Sequence, residues 1–265
     1  MINEKIAVIG HGFVGEAITQ NIISNFKPVI IDPAKGYTAT YDEVKKNCSA
    51  VFVCVPSPRG QEGDCDTSIV EDVFNKLEDY TGTIISKVTA PPKFYEHWNR
   101  KLPNLVYVPE FLRADSSLTD FSNTEWIIVG GAVTAYQRDA ARILKDIQPS
   151  IKQVEYCGIG QAAFVKYSIN SFLATKVVFM NELHQLAESH NYDWKHLAYL
   201  IKMDRRVGDS HTQVPGSDGH YGFGGACFPK DTEALLKYAE DLDVNLNILS
   251  TAVKKNTLLR LTKPK

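Results

Sequence analysis

Lys5-Ile6-Ala7-Val8-Ile9-Gly10-His11-Gly12-Phe13-Val14-Gly15 is the stretch whose reading decides the fold. Its apolar, β-branched start predicts a strand covered on both faces. Glycines at 10, 12 and 15 follow in the pattern G-x-G-x-x-G, and a helical pattern continues to about residue 24. Gly10 permits a tight turn, Gly12 lets backbone approach a pyrophosphate, and Gly15 allows close packing of helix on strand. Amide groups at the helix N-terminus, where Phe13 and Val14 lie, then face an anion. Asp32 ends the second predicted strand, 22 residues after Gly10. A carboxylate there accepts hydrogen bonds from the adenine-side ribose, and its charge disfavours a 2′-phosphate. The implied cofactor is NAD rather than NADP.

Outward from this turn, β-branched runs alternate with helical patterns, the mark of a parallel α/β sheet. Strands are predicted at 5–9, 28–31, 50–55, 83–86, 105–108, 126–129 and 153–156, and helices near 13–24, 41–47, 67–78, 92–100 and 134–147. From Gly158 the pattern changes to one long helix over 158–190, followed by helices near 194–203, 229–242 and 246–261. The expected architecture is a Rossmann-type parallel sheet domain over 1–155, then an all-helical domain over 156–265 built on the long helix. That helix is apolar on more faces than one small domain covers, which predicts a homodimer formed through it. The Gly-rich stretch 208–226 is a long connection of the kind that carries function.

The 265 residues are 44% apolar and 23% charged, with a formal net charge of −2. That balance is globular and carries no broad footprint for nucleic acid or for a membrane surface. No apolar run reaches the roughly 20 residues that span a bilayer, and the N-terminus shows no leader core. Five cysteines, at 48, 54, 65, 157 and 227, are scattered without metal-ligand spacing. They point to a reducing compartment, the cytoplasm, and to neither a disulfide framework nor a metal site.

A second signal is Gly222-Phe223-Gly224-Gly225-Ala226-Cys227-Phe228-Pro229-Lys230-Asp231-Thr232. A Gly-rich loop here delivers a cysteine to the start of a helix, with Pro229 suited to the first turn. A helix N-terminus and an adjacent cation are surroundings in which cysteines act as nucleophiles. Asp231 is near enough in sequence to orient a water or to pair with Lys230. The other four cysteines read as small buried hydrophobes. Lys166 and Asn170, four residues apart on the long helix, share a face and would suit an oxyanion. On spacing alone, a solvated charge is the better reading of Lys166.

The segment 222–232 resembles the active-site loop of the UDP-glucose/GDP-mannose dehydrogenase family, in its UDP-glucose dehydrogenase branch. Cys54-Val55-Pro56-Ser57-Pro58 is similar to that family's Val-x-Thr-Pro turn beside the cofactor, and Lys87-Val88-Thr89-Ala90-Pro91 to its Lys-Ser-Thr-Val-Pro segment. Pro109-Glu110-Phe111-Leu112-Arg113 matches its Pro-Glu-Phe-Leu motif, and Asp204-Arg205-Arg206-Val207-Gly208 its Asp-x-Arg-Ile-Gly motif. Lys166, Asn170, Asn181 and Glu182 fall where the family's central helix carries Lys, Asn and Asn-Glu.

The resemblance implies a four-electron oxidation of a nucleotide sugar, alcohol to carboxylate, with two NAD per sugar. UDP-glucose is the leading substrate. Cys227 would hold the substrate carbon as thiohemiacetal and then thioester. Lys166 and Asn170 would stabilise the oxyanion, Asp231 with Thr89 would position water, and Glu110 would be the acid/base of thioester hydrolysis. Pro56, Thr89 and Lys230 would line the cofactor. Phe111, Leu112, Phe223 and Gly224 would line the substrate, with Arg206 reaching the nucleotide of a neighbouring subunit's substrate.

Departures from the family pattern are specific. A third, α/β domain that follows the linking helix in ordinary members is absent from this sequence, so a compact enzyme with weaker nucleotide contacts is expected. Arg113-Ala114-Asp115 stands where the family shows Arg-Glu-Gly, and Val88 replaces a small hydroxyl residue. His211 and His220 read as solvated loop residues ahead of phosphate partners. Two other functions remain open. A β-hydroxyacid dehydrogenase of the 6-phosphogluconate dehydrogenase-like group shares the dinucleotide fold and Lys-x-x-x-Asn helix without needing a thiol. A non-catalytic NAD-binding relic would need none of the chemistry.

Overall fold

The computed structural model describes residues 5–22, 27–112 and 116–264, so the departure at Arg113-Ala114-Asp115 lies outside the described residues. Two compact units divide the chain, one of residues 1–58 and 66–166, the other of residues 59–65 and 167–265.

The first unit is an eight-stranded sheet with helices. Its strands are β1 (Lys5–Ile9), β2 (Lys27–Asp32), β3 (Tyr37–Thr38), β4 (Ala50–Val53), β5 (Thr83–Ser86), β6 (Leu105–Tyr107), β7 (Trp126–Gly130) and β8 (Gln153–Cys157). They lie in the order β3-β2-β1-β4-β5-β6-β7-β8. β2, β1, β4, β5 and β6 run parallel, β3 is antiparallel to β2, and β7 joins β6 antiparallel through Tyr107 and Gly130. The strand order reverses between β1 and β4, the topological switch point at which α/β sheets bind nucleotides.

Alternation along the strands explains the two cores. Ala7 and Ile9 of β1 join Val51 and Val53 of β4 in one cluster, while Ile6, Val8, Ala50 and Phe52 join the other. A period of two with every position buried leaves no solvent face. Helices α1 (Phe13–Ile22), α2 (Tyr41–Asn47), α3 (Ser68–Lys76), α4 (Pro92–Lys101), α5 (Ser117–Ser122) and α6 (Thr134–Ile147) accompany the sheet. Ala140, Ala141, Ile143, Leu144 and Ile147 of α6 are buried at helical spacing. The hydroxyl of Thr40 caps α2 by accepting the Glu43 N–H at 3.2 Å.

Burial inside this unit holds two titratable groups in their protonated forms. Cys48 is 8% exposed, and burial pushes its thiol up from 9.0 to about 11. Burial also raises Tyr80, whose hydroxyl donates to the Cys48 carbonyl at 3.0 Å. Both groups hold their protons longer folded than unfolded. The Cys48 stabilisation is therefore complete below about pH 9 and is lost as pH rises towards 11, while that of Tyr80 is lost only at higher pH. Denaturant unfolding at pH 8 and pH 10.5 should show a fall to which Cys48 contributes on the order of 2 kcal/mol. A Cys48→Ala variant should lose correspondingly less over that interval; an identical loss would refute the assignment.

The second unit is helical. It holds most of α7 (Ile159–Ser189), with α8 (Trp194–Lys202), α9 (Phe228–Glu240) and α10 (Asn247–Leu261). Ala174, Val178 and Met180 of α7 pack with Trp194, Tyr221, Phe223, Ala252 and Leu259. Cys65 joins Tyr167, Leu235 and Leu249 in a smaller cluster, and Arg59 pairs with Glu233. Within the chain α7 is less covered than its composition suggests. Phe164, Phe172, Phe179 and Leu186 recur every seven or eight residues and are 53%, 68%, 56% and 58% exposed. No helix among the described residues is long and apolar enough to cross a membrane.

Candidate active site

In the first unit the glycine turn joins β1 to α1 at the switch point. The Gly10 N–H donates to the Ile31 carbonyl at 2.9 Å, and the Cys54 N–H to the Ile9 carbonyl at 2.7 Å. Gly10 has φ +89°, and a Cβ on it would stand 2.8 Å from the Cys54 carbonyl and the Val55 nitrogen. A Cβ on Gly15 would meet the Gly10 oxygen at 2.1 Å. Packing therefore requires both glycines. Gly12 differs, since a Cβ there would have nothing within 4 Å and its φ is not positive. The protein itself leaves that space free beside the helix N-terminus, as close approach by a pyrophosphate requires, so the turn fits a dinucleotide.

Asp32 stands at the end of β2, beside the glycine turn. Its Oδ2 accepts the His11 N–H at 2.7 Å. Lys35 Nζ donates to the His11 carbonyl at 2.5 Å, and the His11 and Tyr37 rings lie 4.7 Å apart. The sequence reading missed Lys35; the 3-10 turn Pro33–Lys35 that aims it has no apolar period to betray it.

A second group in this unit surrounds Glu110, just past β6. Glu110 Oε2 lies 2.9 Å from Lys87 Nζ, and Oε1 accepts the Phe111 N–H at 2.9 Å. Lys166 Nζ donates to the Glu110 carbonyl and sits 4.9 Å from the centre of the Phe111 ring. Lys166 is 7% exposed, which excludes the solvated-charge reading. Lys87, Glu110, Phe111, Leu112 and Trp126 line a cavity of about 330 Å³. Thr89 is half-buried, with its carbonyl accepting the Ser57 hydroxyl at 2.7 Å, and Pro56 is exposed. Lys87 was the missed residue here. A lysine directly after the buried strand Thr83–Ser86 is a charge with nowhere to go but inward.

In the second unit the cysteine loop has the predicted form. Cys227 is exposed at the residue before α9, whose second residue is Pro229. Gly222 and Gly225 take φ of +72° and +74°. Asp231, 1% exposed, is held from both sides, by Lys230 Nζ at 2.6 Å and by Asn170 Nδ2 at 2.6 Å. One of the two amide hydrogens of Asn170 is thus committed to Asp231. Arg206 projects into solvent with its guanidinium on Asp204 at 2.6 Å. A side chain on Gly224 would collide with the Arg260 guanidinium at 2.8 Å.

Two carboxamides shape this loop, and only one was singled out in the sequence. Asn181 Oδ1 accepts the Gly222 N–H at 3.1 Å. Asn256 Oδ1 accepts the Phe223 N–H at 2.7 Å, and its Nδ2 donates to the Phe223 carbonyl at 3.0 Å. No spacing signal could have found Asn256, because its partner lies 33 residues away.

Comparison with known proteins agrees with this layout. The model for the NAD binding domain of the UDP-glucose/GDP-mannose dehydrogenase family matches residues 34–148, and that for its central domain residues 160–258. UDP-glucose 6-dehydrogenase of Rickettsia bellii (strain RML369-C) is 30% identical over 229 residues, covering 83% of this chain and 52% of that protein. The chain therefore spans about half the length of the curated relatives it matches. Among solved structures, a UDP-glucose dehydrogenase from Pyrobaculum islandicum superposes with a TM-score of 0.79 at 24% identity, covering 96% of this chain and 68% of that one. A 3-hydroxyisobutyrate dehydrogenase from Mycobacterium tuberculosis shares the fold with a TM-score of 0.75 at 16% identity, covering 96% and 92%. The dinucleotide expected from the glycine turn and Asp32 is NAD.

Proposed function

This chain belongs to the UDP-glucose/GDP-mannose dehydrogenase family, and from that premise we propose that it oxidises UDP-glucose to UDP-glucuronate through a covalent intermediate on Cys227. The observation that carries this reading is an exposed thiol at the N-terminus of α9, presented by a glycine loop, with the buried Asp231 carboxylate one turn behind it.

Bound NAD supplies a hydride acceptor, once for the alcohol carbon and once for the carbon held on sulfur. Cys227 bonds the aldehyde carbon, so the reactive species stays on the protein as thiohemiacetal and then as thioester. Lys166 and Asn170 stabilise the oxyanion that forms at each addition. Asp231 and Thr89 position the water that attacks the thioester. Glu110 takes that water's proton, and the C–S bond breaks with its electron pair returning to sulfur. Pro56, Lys230 and the turn at Gly10, Gly12, Phe13, Val14 and Gly15 hold the cofactor together with Asp32. Phe111, Leu112, Phe223 and Gly224 line the sugar, and Arg206 reaches a neighbouring subunit's nucleotide. Residues 1–155 thus carry most of the cofactor contacts together with Thr89 and Glu110, and 156–265 carry the nucleophile, in a cytoplasmic setting that keeps the five cysteines reduced.

Incubating the chain with UDP-glucose and NAD should yield two NADH per sugar. A ratio near one would contradict the double oxidation, and NAD binding without any NADH would favour a non-catalytic protein. A β-hydroxyacid dehydrogenase is the second reading, since the chain shares its fold with a 3-hydroxyisobutyrate dehydrogenase. Turnover of a small β-hydroxyacid in place of the nucleotide sugar would support it.

The exposed stripe on α7 leads us to propose a homodimer that buries Phe172, Phe179 and Leu186. Sedimentation at micromolar concentration should give a dimer, and Phe179→Asp a monomer. A monomeric wild-type chain would overturn the arrangement.

A further inference from the structure

We propose that Lys87 is a positioning residue that fixes the Glu110 carboxylate for thioester hydrolysis, an inference that rests on the function proposed above. Glu110 lies in a segment without regular secondary structure, where a carboxylate of its length would ordinarily sample several rotamers. Instead, three of its atoms are engaged. Oε1 takes the Phe111 N–H, Oε2 takes the Lys87 ammonium at 2.9 Å, and the carbonyl takes the Lys166 ammonium. Lys87 is itself anchored by the sheet, its N–H donating to the Val53 carbonyl at 2.9 Å. The rigid end of β5 thereby transmits a fixed geometry to a loop residue, as a supporting residue must.

Burial argues that the pair is retained for more than stability. The Lys87 and Glu110 side chains are 3% and 14% exposed. A buried ion pair is a poor stability device, because an apolar pair of similar volume often does as well or better. Both residues line the same cavity of about 330 Å³, where a fixed carboxylate can face a bound molecule. The step at stake is the last one. Water adds to the thioester carbon, its proton passes to the Glu110 carboxylate, and the C–S bond breaks with the electron pair going to sulfur. No oxidant is consumed in that step. A misplaced carboxylate should slow it while leaving both oxidations intact.

The experiment is a rapid-mixing comparison of wild type, Lys87→Met, Lys87→Arg, Glu110→Gln and the double variant Lys87→Met/Glu110→Gln, with UDP-glucose and NAD. Lys87→Met should keep a fast burst of two NADH per site while steady-state turnover falls about 100-fold. Acid quenching followed by intact-mass measurement should then find the acyl adduct on Cys227. Lys87→Arg should recover most of the rate. Adding Lys87→Met to Glu110→Gln should cost nothing further, because Lys87 acts through Glu110. The double variant removes both charges, so it also reports on the pair should Lys87→Met alone fold poorly. Multiplying effects, an equal loss of burst and steady state, or arginine behaving like methionine would each overturn the inference alone. A wild-type chain that forms neither NADH nor adduct would overturn the proposed function with it.

Discussion

Cys227→Ser should lower NADH formation from UDP-glucose by about a thousandfold or more, with NAD affinity and melting temperature unchanged. Cys227 is exposed at the start of α9, and its replacement leaves no cavity and breaks no side-chain hydrogen bond among those described. The expected change in stability is therefore within about 0.5 kcal/mol. The chemistry is more demanding. A thiol accepts the aldehyde carbon readily and later departs from the thioester, whereas a serine hydroxyl is the weaker nucleophile and its ester the slower to cleave. The second oxidation then lacks a carbon held in place, and net conversion to the acid stops. Steady-state absorbance at 340 nm and quantified product acid check this together. Undiminished turnover in the serine variant would mean that the thiol is not used, which is what a β-hydroxyacid dehydrogenase predicts.

Gly10→Ala carries the largest expected effect on the fold. At φ +89° an alanine pays about 1–2 kcal/mol for the left-handed backbone. Its Cβ would also sit 2.8 Å from backbone atoms of Cys54 and Val55, which directly follow β4 and cannot yield like a flexible side chain. Overpacking of this kind costs about 1–3 kcal/mol. The sum predicts a melting temperature lower by roughly 5–15 °C. NAD affinity should fall about 10- to 100-fold through the displaced turn, since a hydrogen bond to a charged group is worth about 1.5–3 kcal/mol. Gly36→Ala is the internal comparison. It has φ +80° but an added Cβ would meet nothing within 4 Å, so only the backbone cost should appear. Equal losses in both variants would show that close packing at Gly10 is not what matters.

Local signals were legible and distant ones were not. Ile6, Val8, Val51, Val53, Ile84 and Ile85 announced their strands because burial on both faces forces near-continuous apolar runs. The glycine turn and the cysteine loop were readable because each requires special backbone geometry within a few residues. β3 and α5 escaped for the opposite reason. Tyr37–Thr38 is two exposed residues long, and Ser117–Ser122 buries only Phe121, too little for any periodicity. The partners of the candidate site residues were hidden by distance in sequence. Glu110 meets Lys87 across neighbouring strands, Asn170 meets Asp231 across 61 residues, and Asn256 meets Phe223 across 33. Each of these pairs follows from how strands and helices are ordered in space, which no spacing rule encodes.

The Asn256 carboxamide treats Phe223 as a neighbouring strand would, giving and taking one hydrogen bond. During synthesis the cysteine segment is polymerised before α10, so its conformation awaits a helix made seconds later, at about 5–20 residues per second. A nascent chain arrested in that interval carries its thiol without the scaffold that shapes the surrounding loop. The loop thus takes its final shape late in the making of the polypeptide, after the sheet's strands have been synthesised.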